Sequence, residues 1–276
     1  MIRPLTLRLA GAALAGVAVA IVSLAAPAQD GAKPSAQQIF ERSSATEKVA
    51  DWQADSQLGI RQGERVRSRG GVVYSKLQAD AVDSHRLFRF ATPADVAGTA
   101  VLVHENAASQ DDLWIYFPSM GKTRRILASN KKDSFMGSDF AYADLMAQDS
   151  ADFTHSLLAD EPCASATCYV VQSVPRDAKT AASLGYSKLV ATVRKHDFAA
   201  VLVRYFDKSG QEFKRQTISG HLAVANQPGK LIATRREMVA AKGGRSSVLT
   251  LKNVNSNRAL REDLFIESRL GQRCAV

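Results

Sequence analysis

The sequence predicts a mainly β protein built as a long antiparallel meander. Three observations carry this expectation. From Trp52 onward apolar residues recur at every second position rather than at helical spacing. Short apolar runs follow one another, separated by turn signals such as Gln62-Gly63, Asp207-Lys208-Ser209-Gly210 and Gly243-Gly244. No long helical pattern lies between the runs, which argues against alternating strand–helix units.

The chain begins with Arg3 and Arg8, has no acid before Asp30, and runs through small apolar residues from Leu9 to Ala26-Pro27-Ala28. This is the three-part layout of a secretory signal with a small-x-small cleavage site. A run so rich in Ala and Gly is a poor spanning helix. Residues 1–28 are therefore expected to be a cleaved signal peptide. Residues 29–276 would form one domain outside the cytoplasm, in a bacterial periplasm. No cysteine follows the cleavage site, so no lipid anchor is expected there.

Ser35 with Gln38 three positions on is a capping-box pattern and predicts a short helix burying Ile39 and Phe40. Trp52, Ala54, Ser56, Leu58 and Ile60 share one face of a first strand. In the next run Val66, Ser68, Gly70, Val72 and Tyr74 alternate with Arg65, Arg67 and Arg69, so the two runs read as a hairpin with a wet, basic face. Further strands are expected at Ser84–Phe90, Thr99–His104, Leu113–Phe117, Arg124–Ala128, Phe153–Leu158, Cys168–Val174, Ser187–Val193, Ala199–Asp207, Glu212–Ser219, Leu231–Val239 and Ser246–Val254. Ser138 is expected to cap a short helix over 139–145 that turns Phe140 and Leu145 inward. Leu113–Phe117 and Ala199–Val203 are apolar on both faces and need cover on both sides. Either one sheet curls under a lid or two sheets stack.

The net charge is +9, and removing Arg3 and Arg8 would leave +7. A basic surface attracts nucleic acid, anionic headgroups or acidic proteins; export removes nucleic acid from that set. Of three cysteines, Cys163 and Cys168 are spaced for a disulfide across a tight loop in an oxidising compartment, and Cys274 is left free or paired between molecules. No histidine stands near enough to complete a zinc site.

Motifs for catalysis are missing. His104-Glu105 meets no second histidine at the zincin spacing, and Gly185-Tyr186-Ser187-Lys188-Leu189 lacks the closing Gly of a nucleophile elbow. Gly121-Lys122-Thr123 looks like the end of a phosphate loop, but Tyr116 stands where its first Gly belongs. The expectation is no enzyme, no metal and no cofactor, although a dispersed triad escapes such a reading.

The stretch Arg89 to Leu145 contains Pro93-Ala94-Asp95-Val96-Ala97-Gly98-Thr99, Trp114-Ile115-Tyr116-Phe117-Pro118 and Met136-Gly137-Ser138-Asp139-Phe140 in that order. With Tyr205-Phe206-Asp207, Gly210 and Phe213-Lys214 further on, it resembles the periplasmic outer membrane lipoprotein-sorting protein family, the LolA-like proteins often found beside resistance-nodulation-division exporters. The resemblance covers roughly residues 36–270. It implies a single curved antiparallel sheet, an incomplete β-barrel, with short helices covering a cavity for acyl chains. It also implies no enzymatic activity and no metal. The partners it implies are lipid or lipoprotein acyl chains, an inner-membrane exporter of that class, and transient membrane contact.

On this reading the candidate lipid-binding residues are Leu113, Trp114, Ile115, Tyr116, Phe117, Met120, Phe135, Met136 and Phe140. Strand alternation sets Trp114 and Tyr116 against Leu113, Ile115 and Phe117; the second set is expected under the lid. The better-known carriers lock the lid with an arginine, for which Arg124 and Arg125 are candidates by position alone. Two other functions stand beside the carrier: an exporter-docking accessory protein that carries nothing, and a secreted hydrolase with dispersed catalytic residues.

Overall fold

The structure, a computed structural model, describes residues 33–272 apart from residues 108 and 165. The expected signal peptide and Cys274 lie outside the described residues.

Helix α1 (Ala36–Thr46) begins as expected. The Ser35 hydroxyl accepts from the Gln38 N–H at 3.2 Å, and the Gln38 side chain accepts from the Ser35 N–H at 2.9 Å. Ile39 is fully buried. Strands β1 (Asp51–Gln62) and β2 (Arg65–Leu77) then form the hairpin, in unbroken register from Asp51 opposite Lys76 to Gln62 opposite Arg65. The inward set of β1 holds: Trp52, Ala54, Ser56, Leu58 and Ile60 are all buried.

The chain continues through β3 (Ser84–Thr92), β4 (Ala100–His104), β5 (Asp112–Phe117), β6 (Lys122–Ile126), β7 (Phe153–Leu157), β8 (Glu161–Cys163), β9 (Ala166–Pro175), helix α2 (Ala178–Leu184), β10 (Lys188–Arg194), β11 (Ala200–Phe206), β12 (Glu212–Ala223), β13 (Leu231–Ala240) and β14 (Arg245–Ser256). All belong to one antiparallel sheet in the order β6-β5-β4-β3-β2-β1-β14-β13-β12-β11-β10-β9-β7, with β8 beside β9. The end strands β6 and β7 do not pair, so the sheet is an unclosed barrel. Strands β3 and β9 stand eight positions apart in that order. In a flat sheet this would separate them by about 38 Å. Phe88 of β3 and Val171 of β9 nevertheless line the same cavity, so the sheet must curl round. At the β2–β3 bulge a Cβ on Gly71 would stand 1.9 Å from the Arg89 carbonyl oxygen. Only glycine admits so close a backbone approach.

Burial divides the two faces. The concave face carries the main core, which includes Leu58, Phe88, Val101, Ile115, Val171, Leu189 and Met238. The convex face of β2–β5 is covered by the C-terminal segment, where Leu260, Leu264, Phe265 and Leu270 pack on Leu87, Leu102, Trp114 and Tyr116. Hydrogen bonds pin that segment. Lys76 Nζ donates to the Leu260 carbonyl at 2.6 Å, and Arg89 Nη1 donates to the Leu270 carbonyl at 3.0 Å. Strand β5 is apolar on both faces because it is covered on both. One curled sheet is the arrangement adopted.

Two elements go beyond the sequence reading. Strand β8 is only three residues long, and the Cys163–Cys168 disulfide joins it to β9 with Cα atoms 5.8 Å apart. Helix α2, capped by Asp177 and closed by Gly185 at φ 80°, buries only Leu184 and so leaves little amphipathic signal. One expectation is corrected. Ser138 has extended backbone and caps no helix. Its hydroxyl donates to the Phe135 carbonyl at 2.7 Å and accepts from the Phe140 N–H at 3.2 Å, so it is consumed in a turn through Met136 and Gly137, both at positive φ. The short helix there is a 3₁₀ turn, Tyr142–Leu145. Phe140 and Leu145 are buried as expected.

Candidate functional site

Between the concave face, α1 and the segment following Asp144 lies a cavity of about 210 Å³. Trp52, Phe88, Val171, Leu189, Val203 and Leu249 give it apolar walls drawn from six strands. Phe40, Lys48, Glu105, Met146 and Gln148 line it and also line an outer groove of about 1020 Å³, so the two spaces adjoin. The groove is rimmed by Asp111, Asp149, Asp152 and Asp177 with Lys131, Lys132 and Lys179. Burial, followed by the charges of Asp149, Asp111 and Asp177, pushes the Asp152 carboxyl up.

Residues 134–147, of which Asp144, Leu145, Met146 and Ala147 line the cavity, are fastened to both sides of the curled sheet. Arg86 of β3 donates through Nη1 to the Leu145 carbonyl. Glu105, just past β4, accepts from the Ala147 N–H at 2.7 Å and from the Ser84 hydroxyl. Across the cavity, Lys214 of β12 meets Asp144 at 2.5 Å, with side chains only 10% and 1% exposed. Asp139 pairs with Arg245 of β14 at 3.1 Å, and the Ser247 hydroxyl donates to it at 2.6 Å. Aromatic packing adds to these ties: Phe135 contacts Phe88 at 5.1 Å and Tyr142 at 5.6 Å between ring centroids. Burial raises the Tyr142 hydroxyl to about 12.

Polar groups also reach the cavity itself. Arg236 grips Glu47 with contacts of 2.6 Å. Burial alone would raise the Glu47 carboxyl; the charge and hydrogen bond of Arg236, with Arg86 and His221 beyond, more than reverse this and hold it below the usual range. Gln216, 2% exposed, accepts from the Tyr205 hydroxyl at 3.3 Å.

None of the nine candidate residues lines this cavity. Leu113, Ile115, Phe135 and Phe140 are buried in the concave core, with Phe117 and Met136 packed against its edge. Trp114 and Tyr116 lie on the other face, under the C-terminal segment. Met120 is 51% exposed on a turn. Arg125 is engaged with Asp112, and Arg124 is exposed; two arginines are tied to the crossing segment, Arg245 through Asp139 and the cavity-lining Arg86. A signal for Arg86 was present. Alternation in β3 places Arg86 on the inward face with Phe88 and Phe90, apolar neighbours among which a cation demands a partner. Lys214 and Gln216 break the inward face of β12 in the same way before Ile218.

A serine–histidine contact exists elsewhere. His155 Nε2 lies 3.2 Å from the Ser150 hydroxyl, while Nδ1 faces the Ser173 hydroxyl at 2.8 Å. Among the described residues no carboxylate is hydrogen-bonded to the ring, which lies 4.3 Å from Phe40. The pair therefore lacks the third member of a triad. Among the described residues no cluster of His, Cys, Asp or Glu is placed to hold a metal, and no helix is long and apolar enough to cross a membrane.

The curled, unclosed antiparallel sheet is of the LolA-like kind, and solved structures superpose on it. An outer membrane lipoprotein-sorting protein domain of Vibrio parahaemolyticus superposes with a TM-score of 0.78 at 25% identity, over 86% of this chain and 98% of its own. A DUF1329 family protein of Desulfovibrio piger gives 0.77 at 27% identity, over 85% and 97%. A LolA superfamily protein of Nitrosomonas europaea gives 0.65 at 21% identity, over 85% and 98%, and shows the fold alone. A family model described as "Uncharacterized protein" matches residues 82–272. The chain belongs to that family, and its fold is similar to that of the LolA-like lipoprotein-sorting structures. No curated protein matches.

Proposed function

We propose that this protein is a periplasmic, non-enzymatic carrier that shelters the acyl chains of a lipid or lipoprotein on the way to the outer membrane. The observation that carries this reading is the apolar cavity within the curled sheet, adjoining an outer groove and closed by a segment held through discrete polar ties. Sheltering one CH₂ from water contributes about 0.8 kcal/mol, so a 16-carbon chain needs roughly 12 kcal/mol of cover. The apolar walls supply the chemistry for that. The volume of about 210 Å³ is below the roughly 300–1,000 Å³ of ordinary ligand pockets. Loading a long chain therefore requires the 134–147 segment to lift. Leu113, Ile115 and Phe117 of the core, with Phe135, Met136 and Phe140 carried on that segment, would then join the chain's path; Met136 would adapt to different chain lengths.

Native mass spectrometry of the mature protein purified from a periplasmic extract tests this. A retained lipid, or displacement of a fluorescent fatty acid by added lipid, is the expected result. Mature protein that carries no lipid and binds no acyl probe under any condition overturns the proposal.

A further inference from the structure

One end of the barrel is charged in a way the cavity does not explain. The β1–β2 hairpin projects past its neighbour: β3 begins to pair with β2 only at Gly70 opposite Thr92, so Arg65–Arg69 have β1 on one side and no strand on the other. Arg61, Arg65, Arg67 and Arg69 stand on this arm, and among the described residues none of them makes an ion pair. Glu64 is the single acid, so residues 61–69 carry +3. An unopposed row of arginines on a narrow arm is self-repelling, and it gains energy only from an anionic partner.

Exposed aliphatic side chains share that end. Val66, 59% exposed, lies between the arginines. Register carries the same end across the sheet: Gly71 opposes Phe90, Arg89 opposes Ala100, and Ala100 opposes Tyr116, next to the turn that holds Met120 at 51% exposure. Lys122 and Arg124 follow on β6, also exposed. The aspartate-rimmed outer groove draws on the opposite ends of these strands, from the β2–β3 and β4–β5 loops. Cations and aliphatics are thus set on separate loop tips. A fluid headgroup layer can meet such an arrangement, whereas a rigid protein partner meets it poorly.

We propose that the overhanging β1–β2 hairpin, with the Pro118–Met120 turn at the same end, docks this protein on an anionic phospholipid surface. The purpose rests on the carrier reading, since a carrier is loaded or emptied at a membrane. The arginines supply attraction, and Val66 and Met120 enter the headgroup layer.

The test uses the mature full-length protein and co-sedimentation with vesicles of phosphatidylcholine alone or mixed with phosphatidylglycerol. Binding is expected only with phosphatidylglycerol, and it should fall as salt rises from 0.05 to 0.5 M. A triple variant, Arg61→Gln, Arg65→Gln and Arg67→Gln, alters exposed side chains alone. At about fivefold per cation it should lose on the order of a hundredfold in vesicle partitioning. A charge-matched control at the other end, Lys132→Gln, Arg176→Gln and Lys179→Gln, should bind almost as wild type, and Val66→Ser should weaken binding without changing its salt slope. No binding to anionic vesicles by wild type overturns the proposal, as does an equal loss in the control. So does capture by an immobilised acidic peptide through the same arginines with vesicles ignored, which would make the arm a protein-docking face. Fatty-acid displacement is run in parallel. If the protein binds no acyl probe yet keeps hairpin-dependent vesicle binding, the carrier reading fails and the docking surface stands.

Discussion

The Lys214–Asp144 contact offers the most direct handle on the crossing segment. Lys214 projects from β12 and Asp144 from the 3₁₀ turn, 2.5 Å apart and almost fully enclosed. Asp144 also accepts from the Ala141 N–H at 2.7 Å, and Lys214 lies 4.7 Å from the centroid of the Tyr205 ring. Removing one partner strands the other charge in a buried site, which costs about 3–5 kcal/mol. Asp144→Leu or Lys214→Met alone should therefore lower the melting temperature by roughly 6–20 °C in a domain of this size. The double variant removes both charges and leaves an apolar contact of similar volume. It should recover most of the loss, giving a coupling energy of several kcal/mol in the cycle. Urea denaturation of wild type, both single variants and the double variant measures this, and hydrogen exchange over residues 134–147 reports where the loss falls. Additive effects, or single variants each within about 0.5 kcal/mol of wild type, would refute the claim that this pair fastens the segment.

Three further outcomes follow from the same geometry. Ala191 lines the cavity, so Ala191→Phe should fill it and cut fluorescent fatty-acid affinity at least tenfold at nearly unchanged stability; binding equal to wild type would place the chain elsewhere. On the convex face His85 stacks on His104 with ring centroids 3.7 Å apart. Burial, then the His104 charge, pushes His85 down to about 4. The folded value lies below the unfolded one, so this contribution is complete above about pH 6.5 and is lost as pH falls toward 4. Discounted for its partial exposure it is about 1–2 kcal/mol, and His85→Phe should flatten that part of a thermal-melt pH profile. Finally, closing the loop between Cys163 and Cys168 should contribute about 2 kcal/mol on the chain-entropy estimate; three free thiols on denatured, unreduced protein would exclude the bond.

The strands were legible because period-two alternation is imposed locally wherever one face is buried. Trp52 to Ile60 read inward in the sequence and are inward in the sheet, and nearly every expected strand lies within a residue or two of its place. Curl was less legible. The double-sided strand β5 showed only that cover was needed, and that cover turned out to be the core on one face and residues 258–272 on the other. A strap carrying Leu260, Leu264, Phe265 and Leu270 at irregular spacing has no period to detect. Ser138 misled for a related reason. A serine hydroxyl serves a turn as readily as a helix cap, and the neighbouring Met136 at φ 52°, a left-handed value unusual for that residue, had no signature of its own.

The candidate site was harder to read than the fold, and the reason lies in what the search looked for. Aromatic and Met residues near a recognisable motif mark apolar surface, but a sheet of this size has far more apolar surface than cavity. Phe135 and Phe140 are each 1% exposed because they hold the crossing segment down; the cavity wall is made instead of Val, Leu and Ala, with Trp52 and Phe88, from strands far apart in sequence. What sets the cavity apart from the rest of the core is charge. Arg86, Lys214 and Arg236 occupy inward positions of β3, β12 and β13, and each is spoken for by the crossing segment or by α1 with its C-terminal cap: Leu145, Asp144 and Glu47 respectively. Well-packed apolar replacements of a buried ion pair are often as stable or more so, so stability alone gives little reason to place charges there. On the carrier reading proposed above, polar ties that can be exchanged for water suit a cover that opens, and those of Arg86 and Lys214 lie at the end of the segment that borders the cavity, away from the packed Phe135.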